Sequence, residues 1–277
     1  MVWRSLHVIK MIATDMDGTF LKDNRMFNQP RFQKLLTQMN QAEIHFVAAS
    51  GNQLIHLKET FADIKGEVTY VAENGAVIAV NDQIIQSEVI PSELWKKAIN
   101  WVMSEPAFAE VHVILSGKNG AYTELKSDST RFGESSYFYS KFNSVTDLMT
   151  VSDDIYKVDL TWEDEDVRAK EKLFNETFSG KLRATSSGLG GLDVILPHVH
   201  KAYALKQLQK EWQVSPAETL TFGDSGNDIE MLRMAKYGYA MKNAAPEVLT
   251  IAPFVTKWDN NDEGVLNTIA EYIDDKG

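Results

Sequence analysis

Short apolar runs alternate along the chain with segments whose apolar residues recur every three or four positions. Met11-Ile12-Ala13-Thr14 is a continuous run ending at Asp15, the pattern of a strand buried on both faces. Asn28 then stands where a helix cap is favoured, and Phe32, Leu35, Leu36 and Met39 fall on one helical face. Ile44 to Ala49 reads as a second strand, Leu54, Leu57 and Phe61 as a second helix, and Val68 to Ala72 as a third strand. Strands separated by helices of this length predict βαβ units and a parallel sheet.

The pattern changes after a turn at Asn81-Asp82, which joins Ala76–Val80 to Ile84-Ile85 as a hairpin. A helix carrying Leu94, Ala98, Trp101 and Val102 follows, then a second hairpin across Gly117-Lys118-Asn119-Gly120. Residues 127–150 show no period that assigns an element. Ile155 to Leu160 reads as a strand, Val167, Phe174 and Phe178 as a helix, and Leu192 to Leu196 as another strand. Alternation returns after residue 200. A helix bears Ala202, Leu205, Leu208 and Trp212, and Thr219 to Phe222 is a strand running into Gly223-Asp224. A helix with Ile229, Leu232 and Met234, a strand from Tyr237 to Met241, a helix from Pro246 and a last helix with Val265, Ile269 and Ile273 complete the chain. The pattern predicts an α/β fold: a doubly wound, mostly parallel Rossmann-like sheet from residues 1–82 and 195–277, interrupted by an α+β insert over 83–194.

Composition narrows the function. A net charge of −11 argues against a polyanion-binding surface, since nucleic-acid affinity comes from Lys and Arg neutralising phosphates. The absence of cysteine excludes disulfides, thiolate zinc sites and thiol nucleophiles. No apolar run reaches the roughly 18–20 residues that span a bilayer. Lys10 interrupts the apolar stretch near the N-terminus, which predicts no signal-peptide core and a cytoplasmic protein.

Asp15-Met16-Asp17-Gly18-Thr19 stands at the carboxyl end of the first strand, the edge where open α/β sheets bind ligands. Two carboxylates so close are costly unless a cation joins them, and a hard metal such as Mg²⁺ takes oxygen ligands. A strand-end turn accounts for the same residue types. A second acidic cluster, Gly223-Asp224-Ser225-Gly226-Asn227-Asp228, also follows an apolar strand, so Asp224 and Asp228 are candidates to complete one metal site. Ser50 closes the second strand, where its hydroxyl and the backbone N–H groups at Gly51 can meet a phosphoryl oxygen, or simply cap a helix. Lys201 begins a helix, where its charge opposes the dipole; that is a mild hint of an anionic partner, although taken alone a solvated surface lysine accounts for it better.

In order along the chain, these segments resemble the four motifs of the haloacid dehalogenase superfamily, specifically its Cof-type (subclass IIB) sugar phosphatases with a large α/β cap. Asp15-Met16-Asp17-Gly18-Thr19 is similar to the first motif, Ser50 to the second, Lys201 to the third and Gly223 to Asp228 to the fourth. Glu73-Asn74-Gly75-Ala76, Lys242-Asn243-Ala244 and Asn261-Asp262-Glu263-Gly264-Val265 resemble signatures of that branch. The second motif often ends in Arg where this chain has Asn52, and the third often reads Lys-Gly where it has Lys201-Ala202.

The resemblance implies Mg²⁺-dependent hydrolysis of small phosphate esters, sugar phosphates first, through an aspartyl-phosphate. Asp15 would be the nucleophile and Asp17 the acid, then the base. Asp15, the Asp17 backbone carbonyl, Asp224 and Asp228 would hold the metal, and Thr19, Ser50, Gly51, Lys201 and Asn227 the phosphate, with Asn227 also placed to steady Lys201. The insert would cap the site. Alternatives are a phosphatase of pyridoxal phosphate or FMN, a phosphotransferase, or a non-enzymatic phosphosugar sensor. The partner is then a small phosphorylated metabolite rather than nucleic acid or membrane, and the protein a monomer or weak homodimer. Within the insert, Trp95, Trp101 and Trp162 suit a buried core or a sugar-stacking surface, and Arg131, Arg183 and Asp193 suit structural roles or hydroxyl contacts. His198 and His200 read as structural, the Asn175-Glu176-Thr177 sequon as chance, and Gly188-Leu189-Gly190-Gly191 lacks dinucleotide-loop spacing.

Overall fold

The computed structural model describes residues 9–163, 166–186 and 190–274. The N-terminal residues 1–8, and Gly188 and Leu189 of the glycine-rich stretch, lie outside them. In chain order the elements are β1 (Met11–Thr14), α1 (Gln29–Gln41), β2 (His45–Ala49), α2 (Leu54–Thr60), β3 (Thr69–Ala72), β4 (Val77–Val80) and β5 (Gln83–Ser87). Then come α3 (Ser92–Ser104), β6 (His112–Gly117), β7 (Ala121–Thr123), α4 (Thr130–Ser135), β8 (Phe142–Ser144), β9 (Ile155–Thr161), α5 (Arg168–Thr177), β10 (Arg183–Ser186) and β11 (Gly191–Ile195). The chain closes with α6 (Lys201–Glu211), β12 (Thr219–Gly223), α7 (Ile229–Met234), β13 (Tyr237–Ala240), α8 (Pro246–Ile251), β14 (Phe254–Val255) and α9 (Gly264–Asp274).

Eight strands form one sheet in the order β14-β13-β12-β1-β2-β3-β4-β5, parallel from β14 to β3 and antiparallel beyond. Its central strands are apolar on both faces because helices cover both. Met11 and Ala13 of β1 pack with Leu205 and Leu208 of α6 on one side. Ile12 packs with Phe32 and Leu36 of α1 and with Leu266 and Ile269 of α9 on the other. Phe20, just beyond β1, sits 5.1 Å from Phe32 and 5.8 Å from both Phe46 and Phe61, ring centre to ring centre. This aromatic nest pins the far end of the loop that follows β1, so residues 15–19 are held at both ends.

The second sheet has six strands in the order β10-β11-β9-β6-β7-β8, antiparallel except for β7 with β8. Alternation along β9 divides its residues. Val158 and Leu160 pack under α3 and α5 with Trp95, Trp162, Phe174 and Phe178. Lys157, Asp159 and Thr161 turn to the opposite face. Trp101, half-buried, packs edge-on against Phe108, Phe174 and Phe178 at the margin of the core that Trp95 and Trp162 enter.

Four details differ from the sequence pattern, the first being β10, a strand that the pattern does not assign. The strand β5 pairs with β4 in the large sheet, so a boundary at 82/83 divides a hairpin that hydrogen bonds keep together. The unassigned residues 127–150 contain α4 and β8, both too short to show a period. The two-residue β14 is likewise too short to read.

The turn after β3 sets the entry of α6. Gly75 has φ +103°, and a Cβ there would lie 2.5 Å from the His200 carbonyl oxygen, directly before Lys201. Gly75→Ala is therefore expected to destabilise the protein by roughly 1–3 kcal/mol, read as a lower urea midpoint.

Candidate active site

The strand ends β1, β2 and β12 converge on one place. Asp15 N donates to the Phe222 carbonyl at 3.0 Å, so Asp15 still belongs to the ladder while its carboxylate reaches past it. Gly18 turns the loop back with φ +73°, and a Cβ there would meet the Asp224 carboxylate at 2.7 Å. Gly223 is as constrained, since a Cβ would fall 2.4 Å from that of Asp228. The two glycines let two acidic loops approach to contact distance.

Lys201 is the centre of the cluster. Its side chain is fully buried, bonded to Asp15 Oδ1 and, at 2.7 Å, to Asp228 Oδ1. Burial pushes its pKa down, but the Asp15 and Asp228 charges outweigh that and hold it above the usual lysine range. The anionic partner hinted at by its place on the helix thus comes from the chain itself. Burial pushes Asp15 up in spite of Lys201, and burial together with the Asp228 charge carries Asp224 to about 6.

Carboxylate oxygens of Asp15, Asp224 and Asp228 all lie within 4.8 Å of one another. Three carboxylates against one ammonium leave two negative charges uncompensated, which is the charge of one divalent cation. A set of oxygen donors alone suits a hard ion. The donor set therefore fits the metal implied by the sequence.

A cavity of about 240 Å³ opens beside the cluster. Asp15, Asp17, Ser50, Gly51, Asn52, Ser225 and Asn227 line it from the large sheet, and Arg131, Tyr139, Lys157, Asp159, Thr161 and Asp193 from the smaller one. A buried polar network joins the two walls. Lys157 Nζ is 2.9 Å from Asp159, 3.5 Å from Asp193 and 2.8 Å from the Gly51 carbonyl oxygen to which it donates. Tyr139 donates to Asp159 at 2.6 Å, Asn74 to Asp193, and Ser116 to Glu73 at 2.7 Å. Burial raises the pKa of Asp193, but the Lys157 charge and the hydrogen bonds to Asp193 together outweigh it and the net shift is downward. Glu73 keeps one buried oxygen without a partner among the described residues, and burial pushes its pKa up to about 7.

The structure brings together Asp15, Asp224, Asp228 and Lys201, and it sets the other expected residues around them. Asp17 points its carboxylate away from the acidic cluster and accepts from the Asn52 amide at 2.8 Å, so only its backbone remains a candidate metal ligand. Thr19 is turned from the cavity and donates to Asp224 at 2.6 Å, which makes it a brace for that carboxylate rather than a phosphate contact. Ser50 Oγ accepts from Asn52 N at 3.0 Å, leaving its proton free to donate. Asn227 lines the cavity but donates to Asn74 at 3.0 Å, whereas Asp228 is the residue that steadies Lys201. His200 caps α6, His198 faces Glu88 at 3.4 Å, and Arg183 pairs with Glu230 at 2.7 Å. Asn175 exchanges two hydrogen bonds with Ala184.

Lys157, Asp159 and Tyr139 were not anticipated. Lys157 and Asp159 had a readable signal, namely two charges alternating with Val158 and Leu160 in an otherwise apolar strand. Tyr139 had none, because it sits where no period assigns an element.

The sequence profile of the haloacid dehalogenase-like hydrolases matches residues 12–269. A 5-amino-6-(5-phospho-D-ribitylamino)uracil phosphatase of Escherichia coli is 37% identical over 265 residues, covering 96% of each chain. One of the same name from Bacillus subtilis is 24% identical over 267 residues, again covering 96% of each. A crystal structure of a Streptococcus mutans protein superposes with a TM-score of 0.90 at 34% identity, over 96% of this chain and 99% of that one.

Glu73 makes the joint between the two sheets sensitive to pH. Its pKa rises from 4.5 toward about 7 on folding, so its protonated form stabilises the fold below pH 4.5, and that stability is lost as pH climbs through 7. Glu73→Gln should flatten the fall in urea midpoint between pH 5 and 8, a difference on the order of 2–3 kcal/mol.

Proposed function

The chain belongs to the haloacid dehalogenase-like hydrolase family, and from that premise we propose that it is a Mg²⁺-dependent phosphatase of small phosphorylated polyols. The observation that carries the proposal is the Asp15 carboxylate at the cavity edge, gripped by Lys201, with Asp17 facing the same cavity two residues on. The names of the relatives support a phosphorylated ribityl chain as the substrate class, with sugar phosphates as the nearest alternative. The small cavity suits a small ester. The residues of the six-stranded sheet would act as the cap over the reacting atoms, and the reaction would run in the cytoplasm.

An oxygen of Asp15 attacks phosphorus, forming an aspartyl-phosphate as the ester P–O bond breaks. Asp17, held by Asn52 at the cavity wall, gives the leaving oxygen a proton. Asp17 then takes a proton from the water that attacks the intermediate, and breaking the Asp15–phosphorus bond releases inorganic phosphate. Lys201 and the Ser50 hydroxyl place positive charge and a donor against the phosphoryl oxygens. The Lys201 charge works against the rise in pKa that burial imposes on the Asp15 carboxyl. Asp15, Asp224, Asp228 and the Asp17 carbonyl would hold Mg²⁺, which when bound neutralises charge on the phosphoryl group. Thr19 fixes the rotamer of Asp224 for that purpose.

Asp15→Asn is expected to cut phosphate release by at least about 1000-fold in a protein that still folds, as read by circular dichroism at about 25 °C, with a lowered thermal midpoint. Retained turnover in that variant would overturn the assignment. Chelation with EDTA should abolish hydrolysis of p-nitrophenyl phosphate, and added Mg²⁺ should restore it.

A further inference from the structure

The loop that follows β2 has three successive carbonyl groups, at Ser50, Gly51 and Asn52, and they are held from two different places. The Ser50 and Asn52 oxygens accept from Asn74 N and Glu73 N, both at 3.0 Å, in the turn after β3 of the same sheet. The Gly51 oxygen between them accepts instead from Lys157 Nζ at 2.8 Å, a side chain that reaches over from β9 of the smaller sheet. Lys157 is buried, and an ammonium at that depth is costly unless its partners are fixed. Its other neighbours are Asp159 at 2.9 Å and Asp193 at 3.5 Å. Three acceptors account for the three N–H donors of an ammonium, so Lys157 has none left for a phosphoryl oxygen although it lines the cavity. What it contributes to the reaction has to pass through the peptide it holds.

That peptide leads to Asp17. The Gly51 carbonyl and the Asn52 N–H are two ends of one planar unit, so a bond to the first orients the second. Asn52 N donates to Ser50 Oγ at 3.0 Å, and the Asn52 amide donates to Asp17 Oδ2 at 2.8 Å. Glycine at 51 leaves the unit free to turn when nothing grips it. We propose, on the acid–base role assigned to Asp17 above, that Lys157 is a positioning residue for that carboxylate. From the opposite wall of the cavity it pins the Gly51–Asn52 peptide, and through Asn52 it keeps Asp17 in place. Proton transfer to the leaving oxygen then depends on contact between the two walls.

Two esters of nearly one shape read this out. p-Nitrophenyl phosphate releases a phenolate that needs no proton, whereas p-nitrobenzyl phosphate releases an alkoxide that does. Both carry the same ring into the same cavity, so lost packing lowers both alike and only a misplaced acid separates them. In Lys157→Met and in Asn52→Ala, kcat/KM for the benzyl ester should fall about tenfold further than for the phenyl ester. The double variant should match the weaker single variant to within about twofold, because both changes act on one carboxylate. If Lys157→Met does not fold, as circular dichroism reads it, Lys157→Met/Asp193→Asn takes its place in both comparisons, since it removes a carboxylate together with the ammonium. Equal falls for both esters in either single variant, or losses that multiply in the double variant, would overturn the proposal and leave the phosphatase assignment standing. A parent that hydrolyses neither ester, or Asp17→Asn without the separation between them, would remove the acid role of Asp17 and this proposal together.

Discussion

A lysine ammonium with no exposed surface keeps its charge only because Asp15 and Asp228 close on it from opposite sides. Burying two carboxylates or one ammonium at that depth alone is costly, so the three groups support one another. They come from residues 15, 201 and 228, at the ends of β1, the start of α6 and the turn after β12. The ion triad therefore requires the parallel sheet to have its register and α6 its entry angle. Gly18, Gly75 and Gly223 follow from that requirement, because a Cβ at any of the three would push apart elements the triad draws together.

The triad is still one cation short of neutrality once Asp224 is counted. Thr19 and the backbone N–H groups of Asp224 and Ser225 hold the carboxylates of Asp224 and Asp228 in place, so their repulsion is built into the folded state. A site strained in this way gains from a divalent ion and from a phosphoryl group bound to it. The overall acidity of the chain says little about such a site, because a bound cation reverses the local field.

A second buried ion group ties the two sheets to each other. Lys157 bonds the Gly51 carbonyl beside Ser50, while Asp193 accepts from Asn74, which in turn accepts from Asn227. The smaller sheet is thereby connected through two side chains to the loops that surround Asp15. The oxygen of Glu73 that has no partner among the described residues shows that this joint is not fully satisfied. An imperfect polar seam opens more readily than an apolar one of the same area.

The large sheet, its helices and the two acidic loops were legible in the sequence because buried parallel strands leave apolar runs, and because Asp15, Asp17, Asp224 and Asp228 stand at their ends. The inserted unit was legible as a change of pattern, although hydrogen bonding carries β5 to the other side of the expected boundary. Side-chain direction was not. Thr19 turns to Asp224, Asp17 to Asn52, and Asn227 to Asn74 rather than Lys201, since each choice depends on a partner at least 35 residues away. The cavity wall opposite Asp15 was hidden for the same reason, with Arg131, Tyr139 and Lys157 drawn from α4, the loop after it and β9 and given meaning only by sharing one face. Sequence alone determined which chemistry the chain can carry, because residue type and period are local. Which oxygen meets which donor was left to the tertiary structure, because electrostatic and hydrogen-bond energies depend on distances that only packing sets.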